Sequence, residues 1–254
     1  MSDPARMTDH DRYFLDLNGY LLLEGVLTPA EVDRLNEEVD AQNLPEPTDD
    51  IWSQRFGGFF MWNRVFRDLI DNERVLGVLI EMLGEKLRLD HAYGIVMGQG
   101  NVGLDLHGQG MPYDPAQYYI HRSGRMYNGL TVVSWALADV GPEDGGFCCI
   151  PGSHKSNYPL PGDVRSFDGH RDWVRQVPHK AGDVVIFTEA LTHGTLPWQG
   201  SHDRRSLLLK YAPAHLAWGK MHAPPEALEP LLTDRQRRLL EPPYIYQREP
   251  VLAD

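Results

Sequence analysis

With 254 residues, 42% of them hydrophobic and 10% aromatic, the chain carries enough apolar material for a sizeable core, as one large β-rich domain or two small ones. Its 36 acidic residues outnumber 24 basic ones, and the net charge of -12 argues against a general binder of nucleic-acid polymers or anionic membranes. An anionic ligand would need a local basic pocket.

The N-terminal stretch MSDPARMTDHDRYF has no apolar run of signal-peptide length. No later stretch approaches the roughly 20 apolar residues of a membrane span. The only cysteines, Cys148 and Cys149, are adjacent, so they cannot staple distant segments and do not match a zinc site. These features together predict a soluble cytoplasmic protein in a reducing compartment; oligomeric state is not legible.

After a polar leader, Tyr20 to Leu23 reads as a short strand. Thr28, Pro29 and Glu31 then form a helix start: Thr28 caps, Pro29 suits the first helical position, and Glu31 completes a capping box. Val32, Leu35 and Val39 follow at helical spacing. Leu44 to Asp50 is a Pro- and Asp-rich loop. A second helix begins near Asn72, with Val75, Leu76, Leu79, Ile80 and Leu83 on one face and Gly84 as its stop.

Beyond Gly84 the period changes. Leu87, Leu89 and Ala92 to Met97 read as strands, as do 130–137, 147–150, 183–187 and 206–211, each bounded by Gly, Pro or Asp. Thr233 and Gln236 announce one more helix near the end. No repeat or credible linker interrupts the chain from Gly84 to Tyr211. The expectation is one mainly β (α+β) domain spanning 1–254: a helical flank over about 1–85, a jelly-roll or double-stranded β-helix core over about 86–213, and an extension over 214–254.

Eleven histidines invite a search for metal ligands, and position must discriminate among them. His107 lies in Gly103-Leu104-Asp105-Leu106-His107-Gly108-Gln109-Gly110, at a strand end that enters a Gly-rich loop. His193 follows the turn Gly182-Asp183, the apolar strand Val184 to Phe187 and a short approach, in Thr192-His193-Gly194-Thr195. Eleven residues later Arg204 opens another apolar strand.

This order of proximal His, distal His and Arg resembles the phytanoyl-CoA dioxygenase family of iron and 2-oxoglutarate oxygenases. Phe14 to Val26 with Gly19-Tyr20, and Gly145-Gly146-Phe147 to Pro151-Gly152-Ser153-His154-Lys155, look like that family too, and the likeness covers residues 12–213. It implies a cupin-like double-stranded β-helix and the cofactors Fe(II), 2-oxoglutarate and O2. His107 and His193 would ligate the metal, and Arg204 would take the distal carboxylate of 2-oxoglutarate. Imidazole suits Fe(II), and a facial ligand set leaves positions open for co-substrates; a planar guanidinium can make two parallel bonds to a carboxylate. By the same resemblance Thr195 and Trp135 help hold the co-substrate, although a Trp in an apolar strand also reads as core.

The family pattern has an acid two residues after the proximal His, where this chain has Gln109. Four arrangements are physically open. Gln109 ligates through its amide oxygen; Asp105, placed on the same strand face as His107 by alternation, supplies the carboxylate; a chloride enters, as in related radical halogenases with Gly or Ala at this position; or the site is dead. These correspond to three functions. The first expectation is hydroxylation of an unactivated C–H bond in a small anionic molecule. Radical halogenation is the alternative, and a non-catalytic cupin-like binding protein is the second.

The loop between Gly108 and Gly129 is rich in aromatic and cationic residues, and loops at a barrel mouth usually carry specificity. Tyr119, His121, Arg122 and Arg125 are therefore substrate-contact candidates, the arginines for an anionic group. Trp52, Arg55, Phe59, Phe60 and Trp62 form a second cluster, which reads equally as a cover for the site or as core.

Overall fold

A computed structural model describes residues 6–44, 53–108, 113–220 and 225–253. The polar leader contains a helix, α1 (Asp9–Asn18). Thr8 and Asp11 cap it reciprocally, and among its residues Leu15 is the one apolar side chain that is buried, so its apolar stripe is too thin to stand out as periodicity. Strand β1 (Tyr20–Leu23) and helix α2 (Pro29–Asp40) follow, the latter opened by the Thr28–Glu31 box and burying Val32, Leu35 and Val39. Strand β2 (Gln54–Phe56), a short helix α3 (Arg64–Arg67) and α4 (Glu73–Leu83) complete the N-terminal third. Asn72 caps α4 and Gly84 ends it. Phe59 is buried, and Phe60 and Trp62 pack beside it in the core, so these three form core packing and not a cover; Trp52 lies outside the described residues.

Nine further strands follow among the described residues: β3 (Arg88–Met97), β4 (Leu104–His107), β5 (Tyr119–Arg122), β6 (Arg125–Asn128), β7 (Thr131–Ala136), β8 (Gly146–Cys149), β9 (Arg175–Gln176), β10 (Val184–Thr188) and β11 (His193–Leu196). Then come β12 (Arg204–Ala212) and the capped helix α6 (Asp234–Leu240), with a single-turn helix α5 (Gly162–Arg165) between β8 and β9. One antiparallel sheet has the order β1-β10-β7-β12-β3-β2, and the other β4-β11-β8-β9. Both edge strands of the larger sheet come from the N-terminal flank: β1, which the sequence announced at Tyr20 to Leu23, and β2, which it did not. The loop expected between Gly108 and Gly129 contains the hairpin β5–β6, turned by Ser123-Gly124 with positive φ at both positions.

Strand alternation sorts the side chains into layers. Val133 and Trp135 of β7, Val184 and Ile186 of β10, and Leu207, Leu209 and Tyr211 of β12 join the α2 and α4 residues in one large core. Their alternates, Val132, Val185 and Phe187, meet Phe147 and Cys149 of β8 in a second core between the sheets. Cys148 points the other way, toward Leu106 and Val164. Both thiols are free, and burial raises both, Cys148 to about 12, so neither is reactive. Among the described residues no helix is long and apolar enough to cross a membrane.

Two histidines away from the cavity described below are built into this frame. His154 bonds the Asp16 carbonyl at 3.1 Å and His179 the Val177 carbonyl at 2.8 Å. Burial pushes each imidazole down to about 4. Their folded-state values lie below the ordinary 6.5, so as pH falls the unfolded chain takes up protons first. Stability is therefore full above about 6.5 and is lost between there and about 4, by about 2 kcal/mol per histidine at pH 5. Urea unfolding should show a lower midpoint at pH 5 than at pH 7.5; equal midpoints would contradict this reading.

Candidate metal and co-substrate site

The smaller sheet sets the two key imidazoles side by side. Strand β11 lies between β4 and β8, and its register places His193 opposite His107, with ring centroids 4.3 Å apart. Each ring is tied to its own backbone in the same way. His107 Nδ1 meets the Asp105 carbonyl at 2.9 Å, and His193 Nδ1 meets the Leu191 carbonyl at 2.7 Å. A carbonyl only accepts, so both Nδ1 atoms carry the proton and both Nε2 lone pairs are left for a metal. Burial pushes His193 down to about 4, although Glu189 opposes the shift, so the ring is neutral at physiological pH, as a ligand must be. Gly108, with φ +94°, permits this closeness: a Cβ there would lie 2.5 Å from the Leu191 carbonyl oxygen and 2.7 Å from that of Glu189.

Arg204 opens β12 and is 5% exposed. Its Nη1 bonds Met97 Sδ at 3.1 Å, while Nε has no partner among the described residues. Burial pushes the guanidinium down to about 10, so it remains charged, yet no carboxylate among the described residues pairs with it. A buried charge left in this state is costly and calls for an anion. Gly146 leaves room for it, since a Cβ there would press to 3.1 Å from Arg204 Nε.

One cavity joins these groups. His107, His193, Thr195 and Arg204 line it together with the apolar walls Val132, Phe147, Phe187 and Leu208. The resemblance thus brought four of its site residues to one place. Trp135 is not among them: alternation turns it to the opposite face of the sheet, into the helical core, while Ser134 beside it lines the cavity. Asp105 is also turned away. Three steps on β4 match two on β11, and this irregularity puts Leu104, and not Asp105, in the cavity beside His107. Asp105 is exposed and contributes its carbonyl instead. Gln109 lies outside the described residues.

The hairpin candidates lie elsewhere. Tyr119, His121 and Arg125 line a surface groove with Asp16 and Glu81, in which the Tyr119 hydroxyl bonds Asp16. Arg122 is exposed and sits opposite Arg125 at the hairpin tip. None of the four lines the histidine cavity.

Three residues that do line it escape sequence reasoning: Glu189, Lys210 and Tyr93. Glu189 is 4% exposed; its Oε1 accepts from Lys210 Nζ at 2.6 Å, and its Oε2 stands 4.0 Å from His193 Nε2. Burial would raise the Glu189 carboxyl, but His193 and Lys210 outweigh it and hold the group below its ordinary range. The available signal was a charge inside each of two apolar stretches, Glu189 four residues before His193 and Lys210 after Leu207-Leu208-Leu209. Lys210 also lies 5.7 Å from the Tyr93 ring centroid, and Arg55 lies 5.6 Å from it, so this end of the cavity is cationic and aromatic.

Solved structures resemble this chain closely in fold. HygX from Streptomyces hygroscopicus, crystallised with nickel, 2-oxoglutarate and hygromycin B, is 26% identical, with a TM-score of 0.74 over 87% of this chain and 94% of that one. HygX has also been crystallised with iron. The 2-oxoglutarate-dependent epimerase SnoN from nogalamycin biosynthesis shares the fold at 20% identity and a TM-score of 0.63, covering 82% of this chain and 83% of that one. The carbocyclase SnoK of the same biosynthesis does so at 18% and 0.62, over 84% and 88%. No curated protein matches the chain. The family model described as phytanoyl-CoA dioxygenase (PhyH) matches residues 15–206, and the chain belongs to that family.

Proposed function

We propose that the chain is an Fe(II)- and 2-oxoglutarate-dependent oxygenase that oxidises a C–H bond of a small molecule. The observation that carries this reading is Arg204: a buried guanidinium without a carboxylate partner among the described residues, in the same cavity as two imidazoles whose Nε2 atoms are free. A keto-dicarboxylate meets both needs, with one end for the metal and the distal carboxylate for Arg204. Membership of the family and the nickel- and 2-oxoglutarate-bound HygX support the same assignment.

His107 and His193 would hold the iron, and their ties to the Asp105 and Leu191 carbonyls fix which nitrogen each presents. When bound, ferrous iron with 2-oxoglutarate supplies the activation of O2 and the oxidation of an otherwise inert C–H bond. The chain's own residues do the rest. Arg204 orients the co-substrate, with Thr195 beside it on β11. Val132, Phe147, Phe187 and Leu208 exclude water and so strengthen that ion pair. Arg55 and Tyr93 form the wall where a substrate would be selected, and we assign to them the recognition of an anionic group that the sequence suggested for Arg122 and Arg125.

Arg204→Ala should raise the 2-oxoglutarate concentration needed for half-saturation by about 10- to 100-fold, the range of a lost charged hydrogen bond. Trp135→Phe should leave that concentration within about twofold and lower stability by roughly 1–2 kcal/mol, because Trp135 packs in the other core. An unchanged requirement in Arg204→Ala would remove its role. Product masses from parallel reactions in chloride, bromide and halide-free buffer should be identical and carry one added oxygen; a mass that follows the halide would mean halogenation instead. Failure of the iron-loaded protein to turn 2-oxoglutarate into succinate would leave only ligand binding.

A further inference from the structure

Gln109 removes the acid that would accompany His107 in the family pattern, and Asp105 is turned to the surface by the irregularity in β4. Two neutral imidazoles facing a dication lack the negative charge that such a site normally supplies. Yet the cavity does contain a carboxylate, and among the described residues that line it there is one: Glu189.

Resting on the oxygenase reading, we propose that Glu189 is the third protein ligand of the metal, replacing the missing acid from a different strand connection. Chain geometry makes this substitution possible. Glu189 follows β10 directly, and the short turn to β11 returns the chain so that residue 193 stands beside residue 189. Its Oε2 lies 4.0 Å from His193 Nε2. Neighbouring donors on one metal, each bonded at about 2.0–2.2 Å, lie about 3 Å apart, so a rotation that brings Oε2 about 1 Å closer to Nε2 lets one ion bind both. Such an adjustment is required, since among the described residues no three His, Cys, Asp or Glu side chains already form a closed metal cage.

The other carboxylate oxygen is already engaged. Oε1 accepts from Lys210 at 2.6 Å, which pins the group and leaves Oε2 facing His193. A charged outer partner of this kind orients a ligand and is typical of carboxylates that bind metals. Local charge favours the same conclusion: Arg55, Arg204 and Lys210 all line the cavity, and a metal dication would add to them. Among the described lining residues Glu189 is the one anion to offset that sum before the keto-acid arrives. With His107 and His193 it makes a two-histidine, one-carboxylate set, assembled from β4, the β10–β11 turn and β11 in place of the usual pair on one strand.

The test is calorimetric titration of the apo-protein with Ni(II), which needs no turnover. Wild type should bind one equivalent, Glu189→Gln should bind at least about tenfold more weakly, and Gln109→Ala should match wild type within about twofold. Thermal melts by circular dichroism report whether each variant is folded. Should Glu189→Gln unfold because it strands Lys210 as a lone buried cation, Glu189→Gln with Lys210→Gln removes both charges and should show the same tenfold loss. Wild-type affinity in either folded Glu189 variant would overturn the assignment while leaving the oxygenase reading intact. Absence of Ni(II) binding by wild type would overturn both.

Discussion

The pairing of β4 with β11 is the constraint on which the site depends. It sets His107 opposite His193, and because each imidazole donates Nδ1–H to the carbonyl two residues behind it, both rings are locked before any ligand arrives. A slip of one residue would turn His193 to the outer face and put a neighbouring backbone in its place. The glycines that flank the pair, Gly108 and Gly194, are what the close approach of the strands permits, since a side chain at either would strike main-chain oxygen. Local backbone chemistry therefore fixes the tautomers, and sheet register fixes the distance.

The second sheet brings the charges. Along β12, alternation sends Arg204, Leu208 and Lys210 toward the cavity while Leu207, Leu209 and Tyr211 anchor the strand in the helical core. The burial of those anchors is what holds two cations inside. Lys210 has an internal partner in Glu189, whereas the buried end of Arg204 has a thioether and an unsatisfied Nε. That asymmetry separates a cation balanced inside the chain from one with no carboxylate partner among the described residues. It also gives the cavity two chemically different groups of residues, the buried guanidinium of Arg204 and a cationic, aromatic cluster of Arg55, Lys210 and Tyr93.

Much of this was legible in the sequence where the signal is local. The Thr28–Glu31 and Thr233–Gln236 capping boxes, the Asn72 cap and the strands around Val133, Val185 and Leu208 all stand where their patterns put them. His107, His193, Thr195 and Arg204 were singled out by the family resemblance, and they share one cavity. What sequence could not supply depends on register and on which face a residue takes. Trp135 is one position from the cavity-lining Ser134 and so belongs to the other core. Asp105 loses its place beside His107 through an irregularity that strict alternation does not anticipate. Glu189 and Lys210 acquire meaning only as a pair formed across β10 and β12. The hairpin residues Tyr119, His121 and Arg125 had the right chemistry for a substrate but line a groove beside α1.

The proposed function requires His107, His193 and Arg204 to act on one metal and one keto-acid. Crystals grown with Ni(II) and 2-oxoglutarate and measured at the nickel absorption edge would test it most directly. The expected map has a single anomalous peak within bonding distance of both Nε2 atoms and a dicarboxylate whose far end meets the Arg204 guanidinium. A peak remote from the two imidazoles, or a keto-acid bound without Arg204, would contradict it.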